Sequence, residues 1–166
     1  MKIKKRTLKQ VFLEEHSLEA TYNTDLIEYL NRYDGKKGYK FIGVIMRDEV
    51  SRVKNCRKCF YIVNYDKSTQ SGSHWVGVVK NGTNVYHFGS YGISPLKEIQ
   101  DRYPNARIYY NDKAIQMSGT SICGHLVLNF IEHMIEERKT FKDFIVEAIK
   151  YSNRYKNNVL NNKGDD

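Results

Sequence analysis

The chain is predicted to form a small α+β domain: a mixed, mostly antiparallel β-sheet flanked by helices. Three observations carry that expectation. Short runs rich in β-branched and aromatic residues fall between residues 39 and 110, and two of them are joined by Asn81-Gly82. Apolar residues then recur at helical spacing from Cys123 to Tyr151. The length of 166 residues, with 40% hydrophobic and 13% aromatic side chains, supplies one core and leaves little room for a second.

The elements follow in order. Thr24 to Tyr33 places apolar groups at helical spacing behind a Thr, with Asp25 in the first turn. Gly35 and Gly38 then break the chain. Tyr39 to Met46 reads as a strand or a buried loop, and Cys59 to Tyr65 as a strand. After a polar, Gly-containing loop, His74 to Lys80 is a strand, and Asn81-Gly82 turns it into a returning strand over Asn84 to Phe88. Pro95 to Tyr103 is a short helix with Pro near its first position, and Arg107 to Tyr110 a further strand. Cys123 to Arg138 is the main helix, with Leu126, Leu128, Phe130, Ile131, Met134 and Ile135 on its apolar face. Phe141 to Tyr151 is a second amphipathic helix. A single domain over residues 1–155 and a flexible tail over 156–166 complete the expectation.

Composition narrows the function classes. No apolar run approaches the length of a membrane span, and no signal-type segment follows the basic start, so a soluble protein without a membrane partner and without the usual secretion route is expected. The net charge of +8 favours polyanions. The positive residues are scattered, with clusters at Lys2 to Arg6, Lys36 to Lys40 and Arg52 to Lys58, and no nucleic-acid motif accompanies them. Non-specific attraction to DNA is the reading they permit. Three cysteines suit a reducing interior. Cys56 and Cys59 form one Cys-x-x-Cys with no second pair, a weak zinc signal; the simpler reading makes Cys59 a buried strand residue and Cys56 a loop residue.

Chemistry concentrates between Gln116 and Phe130. Cys123 follows small polar residues and precedes an apolar helical pattern, so it sits at a helix N-terminus, where unpaired N–H groups and the helix dipole favour thiolate. Upstream, His74 opens a strand. A cysteine can attack a carbonyl carbon, a histidine can take its proton and return it to the leaving amine, and the side-chain amide of Gln116 can donate to the oxyanion that forms. Gly124 leaves room for a substrate backbone. Each residue alone has a plainer explanation: a buried core thiol, a structural histidine, a loop glutamine. Their order and spacing favour the catalytic one.

Gly-Ser-His74-Trp75-Val, then Tyr-His87-Phe-Gly89-Ser-Tyr-Gly, then Gln116 seven residues before Cys123-Gly124, resemble the adenovirus-type maturation proteases, adenain and its Ulp1-like clan. The resemblance spans about Asp25 to Phe130 and is closest to proteases of virophages, polinton-like elements and large DNA viruses. It implies a papain-like, adenain-like fold and a cysteine endopeptidase with His74, Cys123 and Gln116 as catalytic residues. The substrates it implies are viral capsid or other structural precursors, cut after Gly or another small residue during maturation in the virion and the infected cell. It implies no chemically required cofactor and leaves room for an activating peptide or DNA. A SUMO- or ubiquitin-like-protein isopeptidase of the same clan is the alternative. One position departs from the pattern: Gly89 stands where the family carries the Asp or Glu that orients the histidine. Three explanations stay open: a Cys–His dyad, a substitute such as Asn84 or Ser90, or a weakened relative that binds without turnover.

Overall fold

The computed structural model describes residues 3–18, 21–66, 74–115, 122–138 and 140–164. Within them lie helices α1 (Leu8–Leu13) and α2 (Asn23–Asn31), strands β1 (Lys40–Met46), β2 (Lys58–Asn64), β3 (Trp75–Asn81) and β4 (Asn84–Phe88), helix α3 (Lys97–Arg102), strand β5 (Arg107–Tyr110), and helices α4 (Cys123–Ile135) and α5 (Phe141–Gly164). The strands form one sheet in the order β1-β2-β3-β4-β5. β2, β3 and β4 pair antiparallel, while β1 joins β2 and β5 joins β4 in parallel at the two edges. The mixed sheet flanked by helices is the architecture expected.

The central strands of the sheet, β2 and β3, are buried on both faces. On one, α4 crosses β3 and packs Leu126, Val127 and Phe130 among Trp75, Val79 and Phe88. Gly77 makes this approach possible: a Cβ there would lie 2.8 Å from the Phe130 ring. On the other face, Tyr61, Val63, Val76, Val78 and Val85 pack against Leu96, Ile99 and Tyr103 of the α3 segment. α2 is tied to α4 through buried Glu132, which accepts hydrogen bonds from the hydroxyls of Tyr29 (2.5 Å) and Tyr33 (2.7 Å). The chain thus fixes α4 against β3 and against α2, and so fixes where its first residue, Cys123, lies.

Several boundaries differ from the sequence reading. α1 is an additional helix, started by a capping box in which Thr7 and Gln10 satisfy each other's backbone N–H groups. α4 ends at Ile135, and Glu137 adopts a left-handed φ of 52° just beyond it. α5 continues past Tyr151 to Gly164; residues 156–163 contain neither Pro nor Gly to stop it. Cys59 is fully buried in β2 as expected, but it is bonded to Cys56, which corrects the expectation of reduced thiols there. Their Cα atoms lie 6.1 Å apart, a normal separation for a disulfide. Among the described residues no helix is long and apolar enough to cross a membrane, and no cluster of His, Cys, Asp and Glu is arranged to hold a metal.

Candidate active site

Cys123 is the first residue of α4, and Ile122 before it caps the helix without a side-chain hydrogen bond. The orphan N–H groups of this end are therefore available to the sulfur. The backbone N–H groups of Trp75, Gly124 and Cys123 itself are directed at it and favour thiolate. Burial opposes them and wins, raising the thiol above its ordinary value. Helix-terminal position alone, the basis of the sequence expectation, leaves out this desolvation.

The Trp75 contact joins the two halves of the site. His74 directly precedes β3, so the N–H that points at Sγ belongs to the next residue in the chain. His74 is buried, and its carbonyl accepts a hydrogen bond from the Tyr65 N–H at 2.7 Å, which anchors its backbone to the end of β2. Burial pushes its imidazole down to about 4. Nδ1 is buried and has no hydrogen-bond partner among the described residues. The ring lies against Tyr91 (centroids 4.2 Å apart, planes tilted by 37°) and near Tyr65 (5.9 Å). The charge of a Cys123 thiolate also reaches Tyr91, whose hydroxyl is raised by burial first and by Cys123 second. Cys123, His74 and Tyr91 thus form one cluster. Trp75 locks the strand beneath it by donating from Nε1 to Asn23 Oδ1 at 2.8 Å.

Gly89 follows β4 and continues the Gly77↔Phe88 pairing, which sets it opposite Val76. A Cβ there would meet Val76 Cγ1 at 3.1 Å and His87 Cε1 at 4.0 Å, and its φ lies outside the left-handed range. The absent carboxylate is therefore not a consequence of backbone conformation. The turn is held instead by buried Asn111, which accepts from the Gly89 N–H at 3.1 Å and donates to the Gly89 carbonyl at 2.6 Å. Of the two substitutes considered from sequence, Asn84 is misplaced: it pairs with Asn81 at the opposite end of the hairpin, roughly 20 Å along the strand from His74. Ser90 is buried, with its carbonyl accepting from the Ile115 N–H at 2.7 Å. Gly124 has a different role from the one expected. A Cβ at that position would collide with the Thr21 hydroxyl, so the glycine admits the segment before α2 rather than a substrate backbone. Gln116 lies outside the described residues.

Tyr65, Tyr91 and Asn111 escape sequence reasoning because each acts through the pairing of distant strand ends. The strand-plus-turn pattern around Gly89 is the only signal that could have drawn attention to Tyr91.

The fold is the papain-like, adenain-like one expected. The particular likeness is to the crystal structure of the ASFV pS273R protease, with a TM-score of 0.55 and 18% identity over 81% of this chain and 65% of that one. This chain therefore spans somewhat less than two thirds of that protease's length. Weaker similarity extends to AvrA with IP6 and CoA (TM-score 0.47, 18% identity, 89% of this chain and 68% of that one). HopZ1a in complex with IP6 and CoA gives a TM-score of 0.45 and 12% identity over 82% of this chain and 51% of that one. No family model and no curated protein sequence matches the chain.

Proposed function

We propose that this chain is a cysteine endopeptidase in which Cys123 is the nucleophile, His74 the general base and then acid, and Gln116 an oxyanion donor beside the Cys123 N–H. The observation that supports the reading is the approach of the Trp75 N–H to the Cys123 sulfur, since Trp75 directly follows His74 in the chain. With the thiol raised and the imidazole lowered by burial, the resting pair is neutral at pH 7. His74 then takes the thiol proton as Sγ attacks the carbonyl carbon, and returns it to the amine as the tetrahedral intermediate collapses. Water hydrolyses the thioester by the same route.

The substrates proposed are viral capsid or other structural precursors, cut after Gly or another small residue. The viral protease of similar fold and the sequence resemblance support this class. DNA or a short peptide as activator, and a virion or infected-cell setting, belong to the same proposal. The departure at Gly89 favours a second reading, a binding relative with weakened turnover. Co-expression with candidate capsid precursors, followed by mass mapping of new termini, separates the two. New termini that vanish with Cys123→Ala support the peptidase, and identical termini with and without that substitution reject it.

A further inference from the structure

We infer that the faces of Tyr91 and Tyr65 take over the work of the missing acid, holding the His74 ring in place and stabilising its imidazolium by cation–π attraction. The inference rests on the proposed Cys–His pairing. Tyr91 approaches the imidazole to 4.2 Å between ring centroids and Tyr65 to 5.9 Å, both within the reach of a cation–π contact. Position 89, where the resemblance puts the orienting acid, carries no side chain, and Nδ1 has no hydrogen-bond partner among the described residues.

Among the described residues, three groups around His74 bear on this contact. Tyr65 follows β2 and Tyr91 lies in the turn after β4, both against the His74 ring, while Cys123 at the start of α4 reaches Tyr91. Behind Tyr65 lies the Arg47 guanidinium, 5.6 Å from that ring and paired with Glu98 at 3.0 Å. His87 projects from β4 near the Gly89 position. Arg47 makes Tyr65 the poorer of the two cation acceptors, since its ring already faces a positive charge. Tyr91 is 38% exposed, so it is the ring a substrate would cover, further desolvating the contact and strengthening it.

Both tyrosines are positioning residues in this scheme. They move no proton. They lower the free energy of the imidazolium that forms when Cys123 gives up its proton. Without that help the fraction of thiolate at neutral pH falls, which is read directly by the rate of Cys123 alkylation and needs no peptide substrate.

The test is the rate of Cys123 alkylation by iodoacetamide between pH 4 and 9 in the whole protein, with Cys56 and Cys59 left bonded. Tyr91→Phe keeps the ring face and should alkylate within about twofold of the parent. Tyr91→Leu should alkylate about 5- to 30-fold more slowly near neutrality, with its secondary structure unchanged by circular dichroism. Phenylalanine analogues of rising fluorination at position 91 keep the shape and progressively remove the negative ring face. They should slow alkylation in step with fluorine count. A flat fluorine series, or a Tyr91→Phe protein as slow as Tyr91→Leu, overturns the aromatic assignment while leaving the Cys–His pair intact. Alkylation indifferent to His74→Ala overturns the pair itself, and this inference with it.

Discussion

Burial acts on Cys123 and His74 in the same sense, towards the uncharged form of each: the thiol is raised and the imidazole lowered to about 4. A base must be unprotonated to act. If His74 is the base, as proposed, the acid limb of kcat/KM is expected near pH 4, well below the ordinary histidine value. The pH dependence of peptide cleavage checks this; a limb near 6.5 would mean that His74 is solvated in the working enzyme. Cys123→Ala and His74→Ala should each remove nearly all turnover, and the double substitution should lose no more than either, because the two act as a unit. A single-turnover assay that finds additive losses would separate their roles. Gly89→Asp offers a third test. Its φ needs no glycine, and Val76 has only to give by a few tenths of an ångström. A carboxylate on this face favours the imidazolium, so the acid limb should move to higher pH and Cys123 alkylation at neutral pH should rise. A folded Gly89→Asp protein with an unchanged profile shows that the new carboxylate does not reach His74.

The element that positions the proposed nucleophile is α4, and its seat is Gly77. Gly77→Ala places a methyl 2.8 Å from the Phe130 ring and must push the helix off β3. A loss of about 1–3 kcal/mol is expected from such overpacking, with slower Cys123 alkylation as the helix start shifts. A denaturation midpoint and an alkylation rate, taken together, check both. Two histidines on or beside the hairpin strands make stability depend on pH. His74 and His87 are each buried and each pushed down to about 4. The unfolded chain binds more protons than the folded one between their unfolded value of 6.5 and about 4, so their contribution is complete above 6.5 and is lost as pH falls through that window. Melting temperature should drop across it, and His87→Gln should shrink the drop; an equal drop in both proteins would remove His87 from the account. These elements were unevenly legible. β2, β3 and β4 announce themselves because runs of β-branched and aromatic residues and the Asn81-Gly82 turn are local signals. α1 carried a legible Thr7-x-x-Gln10 box but only a short apolar pattern after it. The Cys56–Cys59 bond, the Asn111 clamp on Gly89 and the stacking of Tyr91 against His74 depend on how separate segments meet, which composition and periodicity do not encode.

For the molecule as a whole, folding reorganises the +8 charge rather than merely displaying it. Much of the N-terminal cluster is spent internally: Lys5 reaches Glu132 and Glu136 at 3.6 and 3.8 Å, and Arg6 meets Glu14 at 2.7 Å. The other two clusters, separate in sequence, come together at one end of the β1–β2 pair. Lys40 pairs with Cys59 across the strands, and Lys58 Nζ donates to the Lys37 carbonyl at 3.3 Å. Lys37, Lys40 and Arg57 belong to this shared surface, and their own carboxylate partners are absent among the ion pairs of the described residues. A polyanion attracted by net charge alone would bind anywhere on the surface, whereas one attracted by this patch would depend on these three residues. The expected behaviour of duplex DNA is weak binding, indifferent to sequence, that falls steeply from low to moderate salt through counterion release. Fluorescence anisotropy with two unrelated duplexes should give equal affinities. Replacing Lys37, Lys40 and Arg57 with Gln should flatten the plot of log affinity against log salt by about one unit of slope for each phosphate that the variant no longer neutralises. Unchanged slope in the triple variant would assign the attraction to the dispersed charge. Affinity that differs between the duplexes and survives high salt would require side chains that read base edges, for which neither the sequence motifs nor this sheet end provides an element.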